Sequence, residues 1–281
     1  MNYVIYHDDC YDGFGAAWVA HQYFTAKKAA LVRYQDEETA FIPAKYGDAV
    51  PEFAPGANNV YILDFSYPRA TMQAMWGLNT LVVLDHHKTA EANCQGLPFC
   101  TFDMNKSGAG LAWDHFFPSV ERPALVNYIE DRDLWRFALP KSREVHSWIQ
   151  SYEKSFENFT VMDFILQTGA GFSDAASQGT AILRYEKQKV EEMCKEARFV
   201  DIGGHSVPVV NTPYNFGSVV GERLCQLYPE APFSGYWFVR ADGEEQYGLR
   251  STGFDVSEIA KQYGGGGHKQ AAGFVKGKVT R

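Results

Sequence analysis

The chain has 281 residues, 46% of them hydrophobic and 21% charged, with a formal net charge of −8. That length can bury a sizeable core and suits two domains, and no apolar run approaches the roughly 18 residues that cross a bilayer. The acidic balance argues against duplex nucleic acid, which is held by basic faces, but leaves short phosphate ligands open where bound cations supply positive charge. Five cysteines (Cys10, Cys94, Cys100, Cys194, Cys225) form no CxxC pair, as expected of free thiols in a reducing cytosol. The start "MNYVIYHDDC" has no basic region ahead of a long apolar core, so a cytoplasmic protein without a secretory signal is expected.

Three segments repeat one plan. "YVIYH" (Tyr3 to His7) reads as a strand, followed by "DDCYDG" and the helical pattern "FGAAWVAHQYF". "NVYILD" (Asn59 to Asp64) is a second strand, and the proline of "YPRATMQAMW" suits the first turn of the helix after it. "LVVLDHH" (Leu81 to His87) is a third, its four aliphatics fit for burial on both faces. Strands alternating with helices predict an α/β fold with a parallel sheet. From Gly108 to about Gln150 the pattern is mainly helical, and Asp174 to Ala197 reads as one long polar helix. A second α/β pattern begins near Phe199. It comprises the strand "HSVPVVN", the helix "GSVVGERLCQLY", a hairpin turning at Asp242-Gly243, the helix "DVSEIAKQY", the glycine-rich "GGGGHKQAAGF" and a last strand "AGFVKG". The predicted organisation is an N-terminal parallel-sheet domain over 1–155, a helical linker over 156–198 and a smaller C-terminal α/β domain over 199–281.

If the three strands are parallel, their carboxyl ends share one edge, where ligands of such sheets sit. His7, Asp9, Asp12, Asp64, Asp85, His86 and His87 then converge. One acid alone would serve as well as a helix cap, and Asp12 is a good candidate for that. Three strands ending alike call for a common cause. Carboxylates packed together repel one another unless a cation joins them, and two divalent ions bridged by a carboxylate would hold a phosphoryl group for in-line attack. Aspartate and imidazole suit hard to borderline metals rather than a thiolate zinc site. Elsewhere, His21, His115, His146 and His205 stand at no strand end and read as ordinary helix-face or surface residues.

Taken in order, "HDDCYDGFGAAW", "LDFSYP", "LDHHKTA" and "EDRDLW" resemble the four motifs of the DHH phosphoesterase superfamily. "NKSGAGLAW" resembles the segment after the third motif, and "GGGGHKQAAGF" the signature of the associated C-terminal domain. The resemblance implies that His7, Asp9, Asp12, Asp64, His86 and Asp131 bind two Mn²⁺ ions, with Mg²⁺ or Co²⁺ as substitutes and Asp64 as the bridge. It implies catalytic places for Asp85, supporting the site or joining the second metal, and for His87, facing the transferred phosphate. Two residues rather than one separate Asp9 from Asp12, which leaves Asp8 a rival to Asp9. Asp133 likewise rivals Asp131, which is preferred because Trp135 then falls where the family carries an aromatic.

In the second domain the resemblance gives Gly265, Gly266, Gly267 and His268 the distal phosphate or nucleotide; glycine permits the close backbone approach such a cradle needs. Arg250 in "GLRS" offers a bidentate fork for phosphate. Pyrophosphatases of the superfamily lack the GGGH loop, and RecJ-type exonucleases are longer. The compact form resembles the oligoribonucleases (nanoRNases) and the phosphodiesterases of cyclic or linear dinucleotides. The expected substrate is short RNA or a linear dinucleotide, cleaved to nucleoside monophosphates, with neither duplex nor membrane as partner and a homodimer compatible. The alternatives are a phosphohydrolase of cyclic nucleotides, nucleoside 3′-phosphates or polyphosphate, and a nucleotide-binding sensor without turnover.

Overall fold

The computed structural model describes residues 1–8, 10–30 and 37–278. Asp9 therefore lies outside the described residues. In chain order the elements of the first part are β1 (Asn2–His7), α1 (Tyr11–Ala30), β2 (Thr39–Ala44), β3 (Asn59–Leu63), α2 (Arg69–Trp76), β4 (Thr80–Asp85), α3 (Glu91–Cys94), β5 (Cys100–Phe102), α4 (Gly108–Phe116), α5 (Ala124–Asp133), α6 (Ser142–Gln150) and α7 (Phe156–Leu166). The helix α8 (Gly169–Cys194) comes next, and then β6 (Arg198–Ile202), β7 (His205–Asn211), α9 (Gly217–Leu227), β8 (Ser234–Val239), β9 (Glu244–Arg250), α10 (Val256–Gln262), β10 (Gly266–Gly267) and β11 (Ala271–Lys278). The chain divides into two units, Met1–Leu183 and Arg184–Arg281. No helix of the described residues is long and apolar enough to cross a membrane.

The first unit holds a five-stranded sheet in the order β2-β1-β3-β4-β5, every pair parallel. Alternate residues of a strand face opposite sides, and here both sides are apolar. Val4, Leu63 and Leu84 enter one core with α1 and α4 to α7, whereas Ile5, Ile62 and Val83 enter another with Met72 and Met75 of α2. That is why the strands read as continuous aliphatic runs. The first crossover, through α1, packs on one face, and the crossover through α2 packs on the other. The chain thus leaves β1 toward β2 and later restarts at β3 on its opposite flank. The carboxyl ends of β1 and β3 bound the crevice that such a reversal opens.

The linker was expected over 156–198; its residues up to 183 fall in the first unit and help to fill the first core. Phe159, Met162 and Leu166 of α7 and Ala175 and Ala176 of α8 are buried there.

The second unit has a six-stranded mixed sheet in the order β10-β11-β9-β8-β7-β6. Among its described strands only β7 and β8 pair in parallel, as a crossover through α9 requires. Val210 packs with Val220 and Leu224 of α9, and Val207 and Val209 pack with Ile259 and Ala260 of α10 on the opposite face. The β8–β9 hairpin turns at Asp242-Gly243, where Gly243 takes φ +85°. The edge strands β2, β5, β6 and β10 were not anticipated; each is short or irregular in pattern.

Candidate metal centre

Strand register brings the cluster together. Tyr6 pairs with Leu63, and Leu63 with Leu84, so the next residues, His7, Asp64 and Asp85, form one row at the sheet's carboxyl edge. Two local features let the chain turn there. At Gly13 a Cβ would collide with the His7 carbonyl oxygen, so glycine allows α1 to start hard against the end of β1. Asp64 adopts φ +64°, a left-handed conformation that aspartate tolerates better than most residues. Its amide still bonds the Leu84 carbonyl at 2.9 Å.

The Asp64 carboxylate is 1% exposed, and among the described residues neither of its buried oxygens has a hydrogen-bond partner. Its neighbours are imidazoles: His7 Nδ1 lies 3.4 Å from one oxygen and His86 Nε2 3.0 Å from the other. The same His86 nitrogen is 3.5 Å from Asp12 Oδ2 and 3.7 Å from Asp133 Oδ2. Two trios of ligand atoms lie wholly within the first unit among the described residues, His7, Asp64 and His87, and Asp12, His86 and Asp133, each confined within 4.8 Å. Asp64 belongs to the first and touches the second. His7 Nδ1 and Asp133 Oδ2 are also buried without a hydrogen-bond partner. Buried polar atoms are seldom left so. An oxygen-and-imidazole set with unmet acceptors fits divalent cations.

Asp12 does more than cap a helix. Its two oxygens accept from the backbone amides of Gly108 and Ala109, which ties it to the start of α4. Ser107 caps that helix by accepting from Gly110 N at 3.1 Å. A Cβ on Gly108 would overlap Asp64 Cβ. Gly108→Ala should therefore push α4 off the cluster. We expect divalent-metal affinity to fall at least about tenfold, measured by calorimetric titration; unchanged affinity would show that the site does not need this close approach.

Asp85 lies beneath the cluster, fully buried. One oxygen accepts from His86 N (2.7 Å), His87 N (3.1 Å) and His87 Nδ1 (2.9 Å), and the other accepts from the Tyr46 hydroxyl at 3.4 Å. Its place is to orient His87 rather than to face a ligand. Tyr46 escaped sequence analysis because β2 did; it stands just past the carboxyl end of that strand, the same edge that the other site residues mark.

The expectation for Asp131 is corrected. Its carboxylate is consumed by the loop after α5, accepting from Ala138 N (2.9 Å), Leu139 N (3.2 Å) and the Ser142 hydroxyl. Asp133 reaches His86 instead. Residues two apart on a helix point about 200° apart, so both could not serve. The aromatic that favoured Asp131 is misleading here, because Trp135 takes φ +55° and packs under the Arg132 guanidinium at 4.1 Å.

The electrostatics follow from crowding. Burial, with the Asp64 and Asp133 charges, holds Asp12 well above the usual carboxylate range; burial and the Asp64 charge raise Asp133. Burial opposes the charge on Asp64 too, but hydrogen-bond-like approaches from His7 and His86 outweigh it and hold that carboxyl well below the ordinary value. Burial likewise opposes protonation of His86, and Asp64 and Asp133 overcome it, raising the imidazole to about 10. The cluster collects positive charge wherever it can. Burial and then the surrounding carboxylates push the Cys10 thiol well up, which disfavours its thiolate.

In the second unit, Arg250 is anchored internally. It donates to Ser218 Oγ (2.7 Å), to the Leu249 carbonyl (2.8 Å) and to the Tyr236 hydroxyl (3.3 Å). It ends β9 opposite Ala271. Gly266 and Gly267 form β10, and the turn closes with His268 N donating to Ala271 O at 2.8 Å. A Cβ at Gly265 would collide with the Gly273 carbonyl oxygen, and Gly267 takes φ +137°. These glycines are demanded by a tight hairpin, so the stretch is structured rather than a flexible connector. The strand end of Arg250 and the turn holding His268 lie at the same end of β9 and β11.

No family model matches the sequence. Among solved structures, the DHH domain of a member of a ribosomal-protein family superposes with a TM-score of 0.57 at 12% identity, covering 98% of this chain and 82% of that one. RecJ of Thermus thermophilus, solved with Mn²⁺, gives a TM-score of 0.49 at 14% identity over 98% of this chain and 49% of its own. The fold is that of a DHH domain. The chain belongs to one family with the uncharacterised protein R106 of Acanthamoeba polyphaga mimivirus, 32% identical over 291 residues that span 98% of this chain and 67% of that protein.

Proposed function

We propose that the chain is a phosphodiesterase that holds two divalent cations, Mn²⁺ by preference, and hydrolyses short oligoribonucleotides or linear dinucleotides to nucleoside monophosphates. The observation that carries this reading is Asp64, whose two buried, unbonded oxygens stand between the two ligand trios. Bound by His7, Asp64 and His87 on one side and Asp12, His86 and Asp133 on the other, such cations supply Lewis acidity toward a phosphoryl oxygen and lower the pKa of water.

The residues do the rest. Asp85 accepts a hydrogen bond from the Nδ1–H of His87, which fixes the ring's tilt and turns Nε2 toward the cluster as the nitrogen that would meet a cation or phosphate. The start of α4 holds Asp12 in place through two amides, so that carboxylate need not reorganise when charge arrives. Arg250 and the Gly265–His268 hairpin are the proposed anchor for the remainder of the substrate, with glycine letting the backbone approach a phosphate.

Product analysis tests this. With Mn²⁺, diribonucleotides and five-nucleotide RNA should release nucleoside monophosphates faster than cyclic dinucleotides, cyclic mononucleotides, nucleoside 3′-phosphates or polyphosphate are consumed. Preference for one of the latter would assign a different phosphohydrolase. Nucleotide binding without any product would make the protein a sensor.

A further inference from the structure

Beside the metal centre, the first unit contains a recess of about 420 Å³ between the loop after β2 and the start of α2. Tyr46, Asp48, Val50, Tyr67, Thr71 and Asn93 line it. Tyr46 is the shared wall. Its ring stands 5.7 Å from the rings of both His7 and His87, and its hydroxyl rests on Asp85. The recess therefore adjoins the cluster across this ring.

Two features mark the recess as built for a ligand. Tyr67 is 3% exposed, yet among the described residues its buried hydroxyl has no hydrogen-bond partner. Burial, then the nearby Asp48 charge, push that phenol up to about 12, so it remains an O–H donor at neutral pH. Asp48 spends one oxygen on the Lys45 amide, at 2.7 Å; a carboxylate keeps further acceptor sites. The chemistry also excludes. No lysine or arginine lines the recess among the described residues, and a carboxylate repels phosphate. Aromatic walls with one acid and one amide suit a flat, uncharged heterocycle.

We propose that this recess is a nucleobase subsite in which Asp48 and Tyr67 select a base presenting adjacent N–H donors, guanine above all. The proposal rests on the phosphodiesterase reading and names the part of the substrate that reading leaves open. Guanine offers N1–H and the N2 amino group side by side to one carboxylate. Uracil offers a single N–H flanked by carbonyls that would face the Asp48 charge. A hydrogen bond to a charged group discriminates by roughly tenfold or more.

The test is calorimetric titration of the full chain with guanosine and with uridine, neither of which carries a phosphate. Guanosine should bind at least about tenfold tighter than uridine. Asp48→Asn should erase that gap, and Tyr67→Phe should weaken guanosine, with thermal transitions confirming that both variants fold. Equal affinities, no guanosine binding at millimolar concentration, or a gap that survives Asp48→Asn would overturn the subsite. Hydrolysis of bis(p-nitrophenyl) phosphate with Mn²⁺ is measured in parallel on the unaltered chain. Its failure would sink the phosphodiesterase reading, whereas the nucleoside titrations judge the subsite by themselves.

Discussion

Asp64→Asn is expected to reduce Mn²⁺-dependent phosphodiester hydrolysis by more than about a hundredfold, since altering even the outer partners of metal ligands costs ten- to a hundredfold. Asparagine keeps the shape of the side chain and accepts the left-handed φ +64° that this turn requires, so the fold is spared and the charge alone is removed. The second readout is thermal. Ligands that bind only the native state raise the unfolding temperature by mass action, so added Mn²⁺ should stabilise the unaltered chain and leave Asp64→Asn unmoved. A variant that still gained stability from Mn²⁺ would show that Asp64 bridges nothing.

The pair Asp131→Asn and Asp133→Asn should separate structure from chemistry. Asp131 holds the loop after α5 through three donors, and an amide would set its NH₂ against one of them. We expect a loss of about 1–3 kcal/mol in stability, the cost of an unmatched buried polar group, with activity per folded molecule retained. Asp133 makes no such bonds and faces His86. Its variant should melt normally and lose at least about tenfold in metal affinity. Denaturation curves and Mn²⁺ titrations on both proteins decide it, and the reverse pattern would restore Asp131 to the site.

Much of the centre was legible before any coordinates. His7, Asp64, Asp85, His86 and His87 each end an aliphatic run, and parallel pairing with the observed register is enough to align those ends. Asp12 was visible for the same reason, one helical turn past β1. Asp133 was legible only as one of two choices. Which of two helix-end acids faces the crevice depends on how the loop over Leu134 to Pro140 closes, and that loop runs through two left-handed residues, Trp135 and Phe137, that no propensity favours. Tyr46 and Tyr67 were hidden for a different reason. An aromatic residue in sequence looks like core material, and only its hydroxyl's surroundings distinguish it.

The order of the central strands β1, β3 and β4 and their helices, the two-sided burial of those strands and the identity of the acids and imidazoles at their ends were determined by the sequence alone, because each depends on spacings of a few residues and on the period of a strand or helix. The tertiary structure decided which carboxylates remain unsatisfied. Asp131 and Asp64 are the same residue type, and both are buried; one is met by amides and a hydroxyl, the other, among the described residues, by the imidazoles of His7 and His86 at 3.4 and 3.0 Å. That difference is set by groups far apart in the chain, and it is what makes one a structural tie and the other the proposed place for a cation.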